Sequence, residues 1–159
     1  MKKKILISTG GSGGHVMPAI TIYDHLKSHY DVMISTDLRG FKYLDDEKYK
    51  TFLIDTPRLN RLILMPFSIL VVFFLTLKSL FLLKREKISM LVSTGGYMSL
   101  PLCLAAKILK IKIMLLEPNM IIGRANKFFL NFCEKIICYD SNIINFPTKF
   151  VNKLIVLSP

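Results

Sequence analysis

The sequence predicts an α/β fold built on a doubly wound parallel sheet, and three observations carry that prediction. Short apolar runs alternate with longer helical stretches along the whole chain, which is the rhythm of βαβ units. The centres of the short runs are mostly Ile, Val, Leu and Met, as expected of strands covered by helices on both faces. Three of the runs are followed by glycine-rich or polar turns, the composition of ligand-binding loops at the carboxyl edge of such a sheet.

Lys4 to Ser8 is the first strand, ended by the glycines between Gly10 and Gly14. A helix is expected from about Pro18 to Ser28, because Pro18 suits a first turn, where its missing N–H costs little. The second strand, Asp31 to Ser35, leads to a helix over about Gly40 to Glu47. The third, Thr51 to Ile54, leads to a long apolar helix over about Pro66 to Lys84. Met90 to Ser93, Ile113 to Leu116, Lys135 to Tyr139 and Leu154 to Leu157 read as the remaining strands, with helices at Leu100 to Leu109 and Arg124 to Phe132. Right-handed crossovers then give a Rossmann-like sheet with its ligand crevice beyond the strand carboxyl ends.

A chain of 159 residues is about one domain long, and residues 1–159 read as a single domain. Hydrophobic residues make up 52% against 21% charged, and the mean hydropathy is +0.43. This balance argues against disorder and favours contact with a membrane or a partner. Lys and Arg number 22 against 11 Asp and Glu, a net charge of +11 that favours anionic partners. The basic residues flank greasy segments and no nucleic-acid motif is present, so an anionic lipid surface is preferred and no nucleic acid is expected. Cys103, Cys133 and Cys138 lack CxxC or Cys/His ligand spacing and read as reduced core residues, with no metal site or cofactor expected. Lys2 to Lys4 lead into only a short apolar strand, unlike a signal peptide, so a cytoplasmic chain is expected.

Three loops carry the chemistry. The first is Gly10, Gly11, Ser12, Gly13, Gly14, His15, whose glycines allow close approach of a ligand to backbone amides. It is neither a dinucleotide fingerprint, since the third glycine would fall at Val16, nor a Walker loop, since no Gly-Lys-Ser/Thr follows. His15 has two readings, a capping or packing residue and a group suited to proton transfer. The second loop is Thr94, Gly95, Gly96, Tyr97, Met98, Ser99, and the third Glu117, Pro118, Asn119, followed by Gly123 and Asn126. Taken singly, each reads as well as an ordinary turn; their convergence on one sheet edge favours function.

From Leu62 to Leu83 the chain runs LILMPFSILVVFFLTLKSLFLL, with Arg58 and Arg61 before it and Lys84, Arg85 and Lys87 after it. The length approaches the roughly 20 residues of a bilayer span. A span would put the third and fourth strands on opposite sides of a membrane and break the sheet. The segment therefore reads as an interfacial helix, one face on the sheet and Phe67, Leu70, Phe73, Phe74, Leu77 and Phe81 toward lipid. A fully buried helix and a true span are the second and third readings.

Together these motifs resemble the amino-terminal half of bacterial lipid II synthases, the GlcNAc transferases of peptidoglycan assembly in glycosyltransferase family 28. The family's first loop, GGTGGHxxPA, is matched as GGSGGHVMPA from Gly10 to Ala19. Its second, GGYxSxP, is matched by Gly95, Gly96, Tyr97, Ser99 and Pro101. Its Glu-Gln-Asn tripeptide appears as Glu117, Pro118, Asn119, with Gly123 and Asn126 in the following GxxN pattern. The resemblance implies the acceptor and membrane-binding half of a two-domain GT-B glycosyltransferase, peripheral to the cytoplasmic face of the inner membrane. The implied reaction moves GlcNAc from UDP-GlcNAc to the 4-hydroxyl of undecaprenyl-pyrophosphoryl-MurNAc-pentapeptide with inversion.

The resemblance also implies roles. His15 is the leading candidate for the base, with Glu117 as runner-up or as a group orienting it. Ser12, Gly13, Gly14 and Asn119 would contact the donor. Gly10, Gly11, Gly95, Gly96, Tyr97 and Ser99 would suit the acceptor diphosphate. Pro118 departs from the family's Gln and removes a side-chain amide. The carboxyl-terminal donor domain is expected to lie outside these 159 residues. The chain is thus expected to be part of a transferase, inactive alone, or else a stand-alone acceptor-binding subunit that recruits a separate donor-domain partner.

Overall fold

The computed structural model describes residues 2–45, 47–56 and 65–157. Seven strands alternate with five helices there: β1 (Lys4–Ser8), α1 (Gly13–Leu26), β2 (Asp31–Thr36), α2 (Leu38–Phe41), β3 (Thr51–Leu53), α3 (Met65–Arg85), β4 (Ile88–Ser93), α4 (Ser99–Ile108), β5 (Lys112–Glu117), α5 (Arg124–Phe129), β6 (Lys135–Cys138) and β7 (Leu154–Val156). The strands form one sheet in the order β3-β2-β1-β4-β5-β6-β7, and every neighbouring pair is parallel. The expected doubly wound sheet is therefore present. Its order reverses between β1 and β4, so the loops after these two strands flank the switch point, where such folds bind ligands.

Side-chain alternation along β1 divides the core. Leu6 joins Met33, Leu91, Ile113, Leu115 and Phe129 on one face. Ile5 and Ile7 join Val32, Ile34, Val92 and Ala19 of α1 on the other. The register holds this division, with Leu6 opposite Met33 and Leu91, and Ile7 opposite Ile34 and Val92, because a slip of one residue would exchange the faces.

Several boundaries differ from expectation. Helix α1 begins at Gly13 with Ser12 as N-cap, which leaves Pro18 inside the helix instead of at its start. Helix α2 is one turn long, well short of Gly40 to Glu47; Asp45 turns the chain by accepting the N–H of Glu47. Helix α5 stops at Phe129, before Phe132, and a 3-10 turn at Thr148–Lys153 precedes β7.

Helix α3 packs chiefly on α4, and Leu82 and Leu83 near its end join the core formed by the sheet. Its buried stripe is Ser68, Val72, Thr76, Ser79, Leu82 and Leu83, and the small side chains among them let two helices approach closely. The opposite face leaves Phe67, Leu70, Phe73, Phe74, Leu77 and Phe81 exposed, Phe81 at 68%. The fully buried reading is thereby overturned. By length and composition the segment Phe67–Arg85 could cross a membrane, yet its seat on α4 and its place between two strands of one sheet oppose that reading. Arg58, Arg61 and Leu62 to Leu64 lie outside the described residues.

Candidate functional site

Strand β1 delivers the first glycine loop to the carboxyl edge of the sheet, and β2 delivers what holds it there. Asp37, fully buried, follows β2. Its Oδ1 accepts the N–H of Gly11 at 2.9 Å and of Gly40 at 2.8 Å, and its Oδ2 accepts from Nε of Arg39 at 2.9 Å. Burial pushes this carboxyl up, but the Gly11 and Gly40 amides and the Arg39 guanidinium outweigh it and hold it below the ordinary value. Gly10 and Gly40 pack face to face: a Cβ on Gly40 would overlap Thr36 Oγ1 and lie 2.9 Å from Gly10 Cα. Sequence reasoning missed Asp37 and Arg39. The available signal was an Asp three residues before a Gly, a helix-capping spacing.

Not every amide of the first loop is available to a ligand, since the Gly11 N–H is committed to Asp37. The amides that remain open are those of Ser12, Gly13 and Gly14, which have no acceptor among the described residues, as first-turn donors do not. Ser12 makes no side-chain capping bond.

His15 lies in the first turn of α1, and its Nδ1 is 2.6 Å from the carbonyl oxygen of Thr94 at the end of β4. A carbonyl only accepts, so Nδ1 carries the proton and the neutral ring keeps the Nε2 lone pair free. This is the arrangement a general base requires.

In the second loop, Gly95 and Gly96 have φ of +88° and +80°, which only glycine adopts at little cost. A Cβ on Gly95 would stand 3.2 Å from Asn126 Nδ2, so glycine also lets the second and third loops meet. Tyr97 is half-buried beside them. Ser99 is corrected from ligand contact to a structural part: it is 1% exposed, and its hydroxyl donates to the Gly96 carbonyl at 2.8 Å.

Glu117 anchors the third loop and is 1% exposed. Its Oε1 accepts from Asn119 N–H (3.2 Å) and Nδ2 (2.9 Å), and its Oε2 from Gly123 N–H (2.8 Å) and Asn126 Nδ2 (2.9 Å). With four donors on two oxygens and no bond to His15, this carboxylate positions the loop, and neither the role of base nor that of His15 orienter fits it. Asn126 gives its Nδ2 to Glu117 and to the Leu116 carbonyl. Both neighbours are acceptors, which fixes the amide orientation and leaves its buried Oδ1 without a partner.

Two adjoining hollows result. One, of about 330 Å³, is lined by His15, Gly95, Tyr97, Glu117, Asn119, Arg124 and Asn126. The other, of about 380 Å³, is lined by Gly10, Gly11, Ser12, His15, Arg39 and Tyr97. His15, Gly96 and Tyr97 belong to both, so the candidate base stands on the shared wall. Nothing in the sequence had singled out Arg124, the first residue of α5.

The glycosyltransferase family 28 N-terminal domain matches residues 5–138. The chain belongs to this family. Among curated family 28 relatives, the UDP-N-acetylglucosamine--N-acetylmuramyl-(pentapeptide) pyrophosphoryl-undecaprenol N-acetylglucosamine transferase of Pelagibacter ubique is 52% identical over 99% of this chain. The enzyme of the same description from Rickettsia typhi is 37% identical over 98%. These stretches make up 44% and 40% of the relatives, so the chain spans less than half of their length.

Solved structures agree on the fold of this family 28 domain. MurG of Acinetobacter baumannii superposes with a TM-score of 0.82 at 23% identity, over 99% of this chain and 46% of that one. The UDP-GlcNAc 2-epimerase of Neisseria meningitidis bound to UDP-GlcNAc gives 0.66 at 14% identity, over 96% and 45%. The sheet is thus shared with enzymes of different reaction types, and function rests on the site.

Proposed function

We propose that this chain is the acceptor-side half of an inverting glycosyltransferase that moves GlcNAc from UDP-GlcNAc to the 4-hydroxyl of undecaprenyl-pyrophosphoryl-MurNAc-pentapeptide. The observation that carries the reading is the bond between His15 Nδ1 and Thr94, which places the lone pair of the neutral ring at Nε2, with His15 on the wall between the two hollows. The acceptor oxygen forms its bond to C1 of GlcNAc as the C1–oxygen bond to UDP breaks. UDP leaves with the electron pair, and Nε2 takes the hydroxyl proton. The open amides of Ser12 to Gly14 and the Asn119 side chain suit the donor. The hollow beside Gly10, Gly96 and Tyr97 suits the acceptor diphosphate.

The donor half would close over this edge of the sheet, supplied by the same polypeptide or by a partner chain. The exposed phenylalanines of α3, with Lys78, Lys84 and Arg85 on the same helix, would seat the domain on anionic lipid at the cytoplasmic face of the inner membrane, where the polyprenyl tail of the acceptor resides.

The test is reconstitution with a family 28 donor domain, lipid-linked MurNAc-pentapeptide and UDP-GlcNAc. GlcNAc transfer that falls by about 10²–10⁴-fold in His15→Ala, the range of a lost general base, is the expected result. Transfer unaffected by that substitution removes His15 as the base, and absence of transfer with a competent donor domain removes the reading.

A further inference from the structure

We propose that Arg39 binds the diphosphate of the lipid-linked acceptor, an assignment that rests on the glycosyl-transfer reading above. Asp37 ties its guanidinium to the first glycine loop, since one carboxylate holds Arg39 Nε through Oδ2 and the Gly11 amide through Oδ1. The Nη groups have no hydrogen-bond partner among the described residues, and the side chain stays 44% exposed. Nη2 lies 3.7 Å from where a Cβ on Gly11 would stand. Glycine at that position keeps the approach to the guanidinium clear.

The chemistry of the hollow fits an anion. Among its described lining residues Arg39 is the one cation, and no carboxylate lines it. A guanidinium presents a planar fork that binds phosphate oxygens in pairs. Its tether to Asp37 removes side-chain freedom before binding, which lowers the cost of ordering it on the ligand. His15 on the shared wall then stands between a diphosphate in this hollow and a sugar in the adjoining one. The diphosphate of UDP-GlcNAc has the same chemistry, so the test separates the two sources.

The experiment is calorimetric titration of the 159-residue chain with inorganic pyrophosphate, a short prenyl diphosphate and UDP, for the wild type and for Arg39→Gln and Arg39→Lys. The Gln variant is expected to bind pyrophosphate and prenyl diphosphate at least tenfold more weakly, with a smaller loss for UDP. The Lys variant, which keeps the charge and the pairing to Asp37 without the fork, is expected to fall between. It also serves as the comparison if thermal melts show that the Gln variant is unfolded. Unchanged pyrophosphate affinity in Arg39→Gln, absence of wild-type binding at millimolar ligand, or a larger loss for UDP than for prenyl diphosphate overturns the assignment. Failure of reconstituted transfer with Arg39-dependent binding intact would remove the enzymatic reading and leave the diphosphate site standing.

Discussion

The imidazole of His15 is bonded through Nδ1 to the main-chain carbonyl of Thr94 at 2.6 Å, a contact that joins the helix after β1 to the loop after β4 across the switch point of the sheet. The partner is a backbone atom that no substitution removes, so the tautomer is set by the fold itself. Long-range proton–nitrogen correlation spectra of ¹⁵N-labelled protein above pH 8 are expected to show His15 as the Nδ1–H tautomer. Protonation at Nε2 in the neutral ring would contradict both the geometry and the assignment as base.

Asp37 predicts how acid affects the first loop. Its carboxyl is held below its ordinary value of 3.8; it therefore contributes stability that is complete above that value and is lost as pH falls through the lower folded-state value. Asp37→Asn removes the charge behind three hydrogen bonds at a fully buried site, and bonds to charged groups contribute about 1.5–3 kcal/mol. At pH 7 the variant is expected to melt several degrees below the wild type, by roughly 2–4 °C per kcal/mol for a domain of this size. Melting curves recorded from pH 7 down to pH 3 should show the two proteins converging below about pH 4, near the unfolded carboxyl value. A constant gap across that range would mean that the charge of Asp37 is not what stabilises the loop.

The sheet was legible because its strands are short apolar runs separated by helical stretches, and its ligand edge because glycines mark the loops after β1 and β4. The start of α1 was misread because Pro18 is an obvious local signal, whereas the helix begins at Gly13 and Gly14, poor helix formers held by tertiary contacts such as His15 to Thr94. Ser99 and Glu117 were found as parts of motifs, but their roles as turn closer and loop anchor rest on local bonds to Gly96 and Gly123, which the spacing of a motif does not distinguish from contact with a ligand. Arg39 and Asp37 were missed for a different reason. They follow β2 without a glycine-rich motif, and their link to Gly11 spans 26 residues.

Helix α3 makes the membrane reading testable through a pair of residues. Phe73 and Phe74 are 54% and 60% exposed and stack edge to face, with ring centroids 5.7 Å apart, so replacing them removes little from the core. If they enter lipid, each contributes about 1.5–3 kcal/mol, and the double variant Phe73→Glu, Phe74→Glu should bind vesicles at least a hundredfold more weakly with its melting temperature nearly unchanged. Cosedimentation with phosphatidylglycerol and phosphatidylcholine vesicles over a salt series separates the two forces at work. Lys78, Lys84 and Arg85 on the same helix predict a preference for phosphatidylglycerol that weakens with salt, whereas the phenylalanines set the part that salt does not touch. Equal binding of wild type and variant would mean that this face does not meet the bilayer, and its apolar exposure would then mark a protein interface.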